Sequence, residues 1–578
     1  MIDSGDGYFV GAMRPQSFLD NFMDVTDELS TVPEVDFSGV LSGESVQSMC
    51  GTFVSTSFPT SRWCDELYVL HTKVQIVESV GLCPNIRLYE AKTTRLRDAE
   101  ESKAECRDPS IKGNRTQRSP RIAAHYACPA IAARRRPPSK RMRKRTAVSS
   151  TRRKPLDSRR YYDFATNLLD IEVVHDIDAD PFEDPPESIS SREPSTGSPS
   201  ASSSYSLKRY GVTVSLTSPS ARSAIHPSPS LPLHAPANNG ANSLVSDKST
   251  GLKPGTPPED RSGPSSLKVA SANSSSRYTS FERSSIEAKA FRTRLVSHAR
   301  AEFARQHRVF LFQIVLINRY VRFIRWDHSG AVVSEIFDYV DNSGILAEFL
   351  WRFDRMSDEQ RGLDPTVKLA SLREKSRFEV AVNGFLKNAK TGLDGAPPRK
   401  LPGAERTLDE TKTYPTWKIN VTDSATRSST NLIVRRPFSD HSSMWGRDTR
   451  AYLAYDLEKS RLVFLKDTWR MEHSKLRSES KTYRELARHG VPHIPSVLYG
   501  GDVRGSNRRP QETISQDFAE EEDPWRITVC ELQKHIHHRI VQEIAYPLGS
   551  AVDEREFMQA LHDALHGREH SIVQKNSC

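Results

Sequence analysis

The chain has 578 residues, a formal net charge of +9, 36% hydrophobic residues and 35 prolines, with a mean hydropathy of −0.58. That is room for two to four domains, but too polar for every stretch to bury a core. The charge is local: residues 134–160 carry thirteen Lys/Arg against Asp157 alone, so the remainder sums to −3. No apolar run approaches the roughly 18 to 20 residues that span a bilayer, and "MIDSGDGYFVGAM" lacks the basic start and apolar stretch of a signal peptide.

Residues 1–133 show scattered apolar clusters, such as "DELYVLHTKVQIVESVGL" (65–82), without a firm period. The tract 134–160 has the charge density of a nuclear-localisation or nucleic-acid patch, but no interleaved aromatic to stack a base. Residues 161–186 read as a strand running into an acidic, proline-terminated turn. Asp170, Glu172 and Val174 there match a D-x-E-x-K nuclease strand except at its lysine, which argues against metal-dependent cleavage. Residues 187–285 are rich in Ser and Pro and read as a disordered linker. The seven cysteines (Cys50, Cys64, Cys83, Cys106, Cys128, Cys530, Cys578) form no CxxC and suit reduced thiols in an intracellular protein, nuclear or cytoplasmic.

In 286–390, "RVFLFQIVLI", "YVRFIRW" and "AVVSEIF" predict an antiparallel meander over 308–337, turning at Asp327-His328-Ser329-Gly330. A helix follows, with Leu346, Phe349, Leu350 and Phe353 at helical spacing. In 391–578, 392–406 reads as a loop, and "NLIVRRPF", "RAYLAYDL", "RLVFLKD", "SVLYGGDV" and "RIVQEIAYPL" read as strands. "SKLRSESKTYRELARHG" reads as a helix closed by Gly490, and "DEREFMQALHDALH" as an amphipathic helix carrying Phe557, Leu561 and Leu565. His535, His537 and His538 alternate across a strand with no carboxylate nearby in sequence, and are expected to face solvent.

Lys466 ends the apolar run "LVFL". A lysine there snorkels to water or holds a phosphate. Helical spacing of Glu479 with Tyr483 and Leu486 turns Glu479 toward that lysine. Strand, turn, strand, lysine strand, glutamate helix, two strands and a connector is the layout of a protein-kinase small lobe entering the large lobe.

"QHRVFLFQIVLINRYVRFIRWDHSGAVVSEIFDY", "FLWRFDRMSDEQRGLDPTV", "GRDTRAYLAYD", "LKDTWR" and "RIVQEIAYPL", in this order, resemble the fungal-type protein kinase family over roughly 290–566, with an echo at 171–182. The resemblance implies an α+β kinase-like fold, ATP and Mg as ligands, and protein Ser/Thr hydroxyls as substrates. By position it implies that Lys466 binds phosphate with Glu479 as its partner, that Gly446 lies in the phosphate loop, and that 542–548, with Glu543 and Ala545, is the hinge beside adenine. The family usually has a second glycine where this chain has Asp448, whose carboxylate would repel phosphate, and an arginine where it has His328. No His-Arg-Asp or Asp-Phe-Gly triplet follows; after the hinge the Asp residues are Asp553 and Asp563. The expectation is a chain that stops before its catalytic loop and transfers no phosphate alone, with a non-catalytic binding or scaffold role and a misread gene end as alternatives.

Overall fold

The structure, a computed structural model, describes residues 5–25, 31–42, 45–58, 67–71, 85–90, 164–184, 281–391, 399–408, 414–439, 444–473, 476–519 and 531–576. The basic tract 134–160 and nearly all of the Ser/Pro-rich 187–285 lie outside them. Residues 1–192 and 278–578 belong to one unit, and the fold is α+β with two sheets. Among the described residues no helix is long and apolar enough to cross a membrane.

The first sheet is centred on the expected meander. Strands β1 (Phe9–Met13), β2 (Leu67–His71), β3 (Ile86–Glu90), β4 (Asn167–Val174), β5 (Phe310–Ile317), β6 (Tyr320–Asp327), β7 (Ala331–Ser334) and β8 (Phe337–Asp338) assemble in the order β1-β7-β6-β5-β4-β3-β2, with β8 on β6. β5, β6 and β7 are antiparallel, as the turn chemistry requires: Asp327 Oδ1 accepts from the backbone of Ser329 and Gly330. Sequence periodicity did not show that β1 pairs parallel with β7 and β4 parallel with β5. The weakly patterned N-terminal segments thus complete this sheet.

Both of its faces are buried, which explains the near-continuous apolar strand. Phe312, Ile314 and Leu316 of β5 face one core, whereas Leu311, Val315 and Ile317 face another. The first core is covered by α1 (Pro15–Phe22), α2 (Val46–Ser57) and, further along the chain, the helix Ser343–Arg355; the second by α3 (Ile286–Arg305), after which Ser343–Arg355 is α4. Gln313 sits on the α3 side and accepts from Trp326 Nε1 at 3.2 Å. Asp170 and Glu172 are fully buried: Arg87 lies 3.5 Å from Asp170, and His298 2.6 Å and Arg294 3.6 Å from Glu172. Two arginines and a histidine thus meet these two carboxylates.

The second sheet comprises β9 (Val367–Leu369), β10 (Trp417–Thr422), β11 (Ser429–Val434), β12 (Arg450–Asp456), β13 (Arg461–Met471), β14 (Val497–Asp502) and β15 (His535–Gln542), in the order β14-β15-β13-β12-β11-β10-β9. α5 (Leu372–Thr391), which the sequence pattern missed, packs Phe378 and Val382 against it. α6 (Glu479–Arg488) begins five residues later than expected and ends on Gly490, at φ +69. The last strand stops at Gln542, so "EIAYPL" is not strand. α7 (Glu554–Asn576) is helical as expected, but Phe557, Met558 and Leu565 are exposed.

Candidate nucleotide site

Lys466 sits mid-strand on β13, paired across to Ala451 of β12 and Ile540 of β15. Alternation sends Val463, Leu465 and Asp467 to one face and Phe464, Lys466 and Arg470 to the other. On the second face Lys466 Nζ donates to Glu479 Oε2 at 2.6 Å, with the two side chains 22% and 26% exposed. Glu479 is the first residue of α6, where a carboxylate also complements the helix dipole. Four residues along the same face, Arg470 grips Asp502 with two hydrogen bonds of 2.9 and 2.8 Å, and His538 Nδ1 lies 2.8 Å from the same carboxylate. Burial alone would raise Asp502; Arg470 and His538 instead hold it well below the usual carboxylate range.

Gly446 takes a left-handed conformation, φ +74, and its N–H donates to the His328 carbonyl at 2.8 Å. That amide is thereby committed to the first sheet. Its neighbour Trp445 stacks on Tyr8 at 4.6 Å, and Arg447 O accepts from Trp469 N and Thr468 Oγ1. The loop therefore lies along β13 at Thr468–Trp469 and is fastened to the Asp327–Gly330 turn.

One expectation is corrected here. The Asp448 side chain is 3% exposed and bonded to Arg450 at 2.8 Å, so its charge is met inside the protein instead of confronting phosphate. Its φ of +27 is of the kind that favours glycine, consistent with the glycine expected there. His328, the other departure from the family, is fully buried. Its Nδ1 bonds Met444 O at 2.7 Å and its ring lies 4.5 Å from that of Trp469. Burial lowers its pKa to about 4, against the opposing pull of Asp448.

The segment expected to be the hinge leaves β15 as exposed chain. Glu543 is 67% exposed and 3.5 Å from Arg461, and Ala545 is exposed. Between Lys466 and that segment the same face carries Phe464, 6.1 Å from Phe438, and its cross-strand partner Gln542, while Ile544 packs against the cluster that contains Phe378 and Val382.

The opposite face holds a cluster that sequence reasoning did not assemble. Asp467 Oδ1 lies 2.5 Å from His537 Nε2 and 3.3 Å from Arg539 Nε, and its Oδ2 lies 3.5 Å from His307. Arg539 also reaches Asp364 at 2.6 Å, which accepts from Gln511 at 2.8 Å. Burial alone would raise Asp467, but Arg539, His537 and a hydrogen bond from His307 hold it far below the ordinary range. Asp364 is drawn down to about 2 in the same way, burial opposing and Arg539 leading the pull. The expectation of solvent-facing histidines is therefore wrong. His535, His537 and His538 are 5%, 5% and 0% exposed, and two of them meet carboxylates distant in sequence.

The family model described as fungal protein kinase matches residues 279–577, just over half of the chain. The chain belongs to the fungal protein kinase family. No curated protein and no solved structure matched. The match takes in α3, the β5–β7 meander and the whole second sheet, so both sheets carry the family's signature. For ATP, the group the family implies, the Lys466–Glu479 pair supplies a cation whose chemistry would fit a phosphate; the committed Gly446 amide does not add to it. Among the described residues no group of three or more His, Cys, Asp and Glu is placed to hold a metal ion.

Proposed function

We propose that the second sheet, α6 and the hinge bind ATP in the service of the family's reaction, phosphoryl transfer to protein Ser/Thr hydroxyls. The observation that carries this is the 2.6 Å bond between Lys466 and Glu479. ATP supplies the transferable γ-phosphoryl group, and magnesium would arrive bound to it. Lys466 neutralises phosphate charge, Glu479 holds Lys466 in register, and the exposed backbone at Glu543 and Ala545 is open to the adenine edge. These 578 residues contain no His-Arg-Asp or Asp-Phe-Gly triplet, so the proposal for them is nucleotide binding.

A second reading, a non-catalytic binding module, is favoured by one observation: the Gly446 amide is already engaged by His328. A thermal-shift titration with Mg-ATP on the wild type and Lys466→Ala decides between them. Ligand at one hundred times its Kd adds about 2.7 kcal/mol, so a rise of about 2–4 °C is expected in the wild type and none in the variant. No rise in either protein rejects the ATP reading and leaves the binding module. For the basic tract we propose nuclear import, tested by whether residues 134–160 carry a fused fluorescent protein into nuclei.

A further inference from the structure

A cavity of about 1390 Å³ opens between the β10–β11 turn, the outer side of α6 and the segment following β14. Neither Lys466 nor Glu479 lines it. Its wall is fixed. Asp423 accepts from Gly500 N at 3.1 Å and pairs with Arg484, and Ser424 N donates to Gly500 O at 3.0 Å. The turn between β10 and β11 is therefore tied to β14.

The lining carries eight Lys/Arg against three carboxylates, a net of +5. All three carboxylates are already engaged: Asp423 by Arg484, Glu485 by Arg488 and His489, and Asp502 by Arg470 and His538. Five cations remain, Arg427, Arg477, Lys481, Arg504 and Arg508, all exposed and none with an ion-pair partner among the described residues. Arg427 and Arg508 stand on left-handed backbone, φ +59 and +63, an uncommon conformation for a residue with a Cβ. Like charges gathered around a concave surface repel one another and focus a positive potential that an anion relieves.

We propose that this cleft docks a peptide phosphorylated on serine or threonine. Arginine forks match phosphate oxygens in pairs, which is how arginine clusters select phosphorylated motifs. The volume exceeds the roughly 300–1,000 Å³ of an ordinary small-molecule pocket, which favours a polymer. Its lining has no Phe, Tyr, Trp or His on which a base could stack, which disfavours nucleic acid. The three carboxylates also suit a peptide of mixed charge better than an unbroken phosphodiester chain.

The proposal stands apart from the nucleotide reading, and the test keeps the two separable. Fluorescence polarisation with the full chain would use a labelled 12-residue peptide carrying two phosphoserines, its unphosphorylated form, and a 12-nucleotide single-stranded RNA. The phosphopeptide is expected to bind at least tenfold more tightly than either comparator. Arg504→Glu/Arg508→Glu and, separately, Arg477→Glu/Lys481→Glu should each weaken it at least tenfold with unchanged melting temperature, while Lys466→Ala leaves it intact. Equal binding of the two peptides, RNA binding as tight as the phosphopeptide, or unchanged affinity in both double variants overturns the proposal.

Discussion

Lys466 and Asp467 are adjacent in sequence and belong to opposite faces of β13. One face carries a partly exposed pair, Lys466–Glu479, within reach of solvent. The other carries Asp467 in a sealed cluster with His307, His537 and Arg539, reaching from the second sheet to the segment that leads into the first. A charge placed near solvent can change partners when a ligand arrives, whereas a buried charge is bound to the partners it folded with. The strand thus carries an ion pair that solvent reaches on one side and a sealed charge cluster on the other.

The comparison breaks most readily at Asp467. Asp467→Asn leaves Arg539 buried with half of its anionic partners gone, and a loss of about 3–5 kcal/mol is expected in chemical denaturation. A loss under about 1 kcal/mol would show that this face is no more structural than the other. Next in size is His328, whose folded pKa of about 4 lies below its ordinary 6.5. Between those values the unfolded chain binds a proton that the folded one refuses, so stability falls as pH drops below 6.5. At pH 5 the loss is about 2 kcal/mol. His328→Phe should flatten that part of the melting-temperature profile between pH 7 and 5, and identical profiles would remove His328 from the account. Asp448, Arg450 and Asp327 also bear on this histidine, and among them the carboxylates oppose the shift.

On the open side, Lys466→Ala should change stability by less than about 1 kcal/mol while abolishing the Mg-ATP shift. A large stability loss there would merge the two faces into one structural role. The smallest effect is expected at α7: Leu565→Lys, on a residue 59% exposed, should stay within about 0.5 kcal/mol. A greater loss would mean that this apolar stripe is covered in solution.

Much of the framework was legible because it is local. The β5–β7 run announces itself by β-branched and aromatic residues around a four-residue turn, and Lys466 with Glu479 by strand and helix spacing. What was illegible is what meets from afar. Alternation assigns His537 a face but not Asp467, seventy residues earlier, as the group across from it. The parallel pairings of β1 and β4 join segments more than a hundred residues distant, for which no short-range signal exists. α5 escaped notice because few of its twenty residues, Phe378 and Val382 chief among them, are fully buried, and so thin a stripe is lost among charges.

The bond from Gly446 N–H to the His328 carbonyl has a mechanical meaning. A loop that closes over a ligand must be free to swing, yet this one is hooked through its glycine to the tip of a hairpin in the other sheet, with Trp445 wedged beside Tyr8 as a second fastening. Loop and hairpin tip are therefore joined at two points, and the β6–β7 turn serves as the abutment for the loop that runs alongside β13.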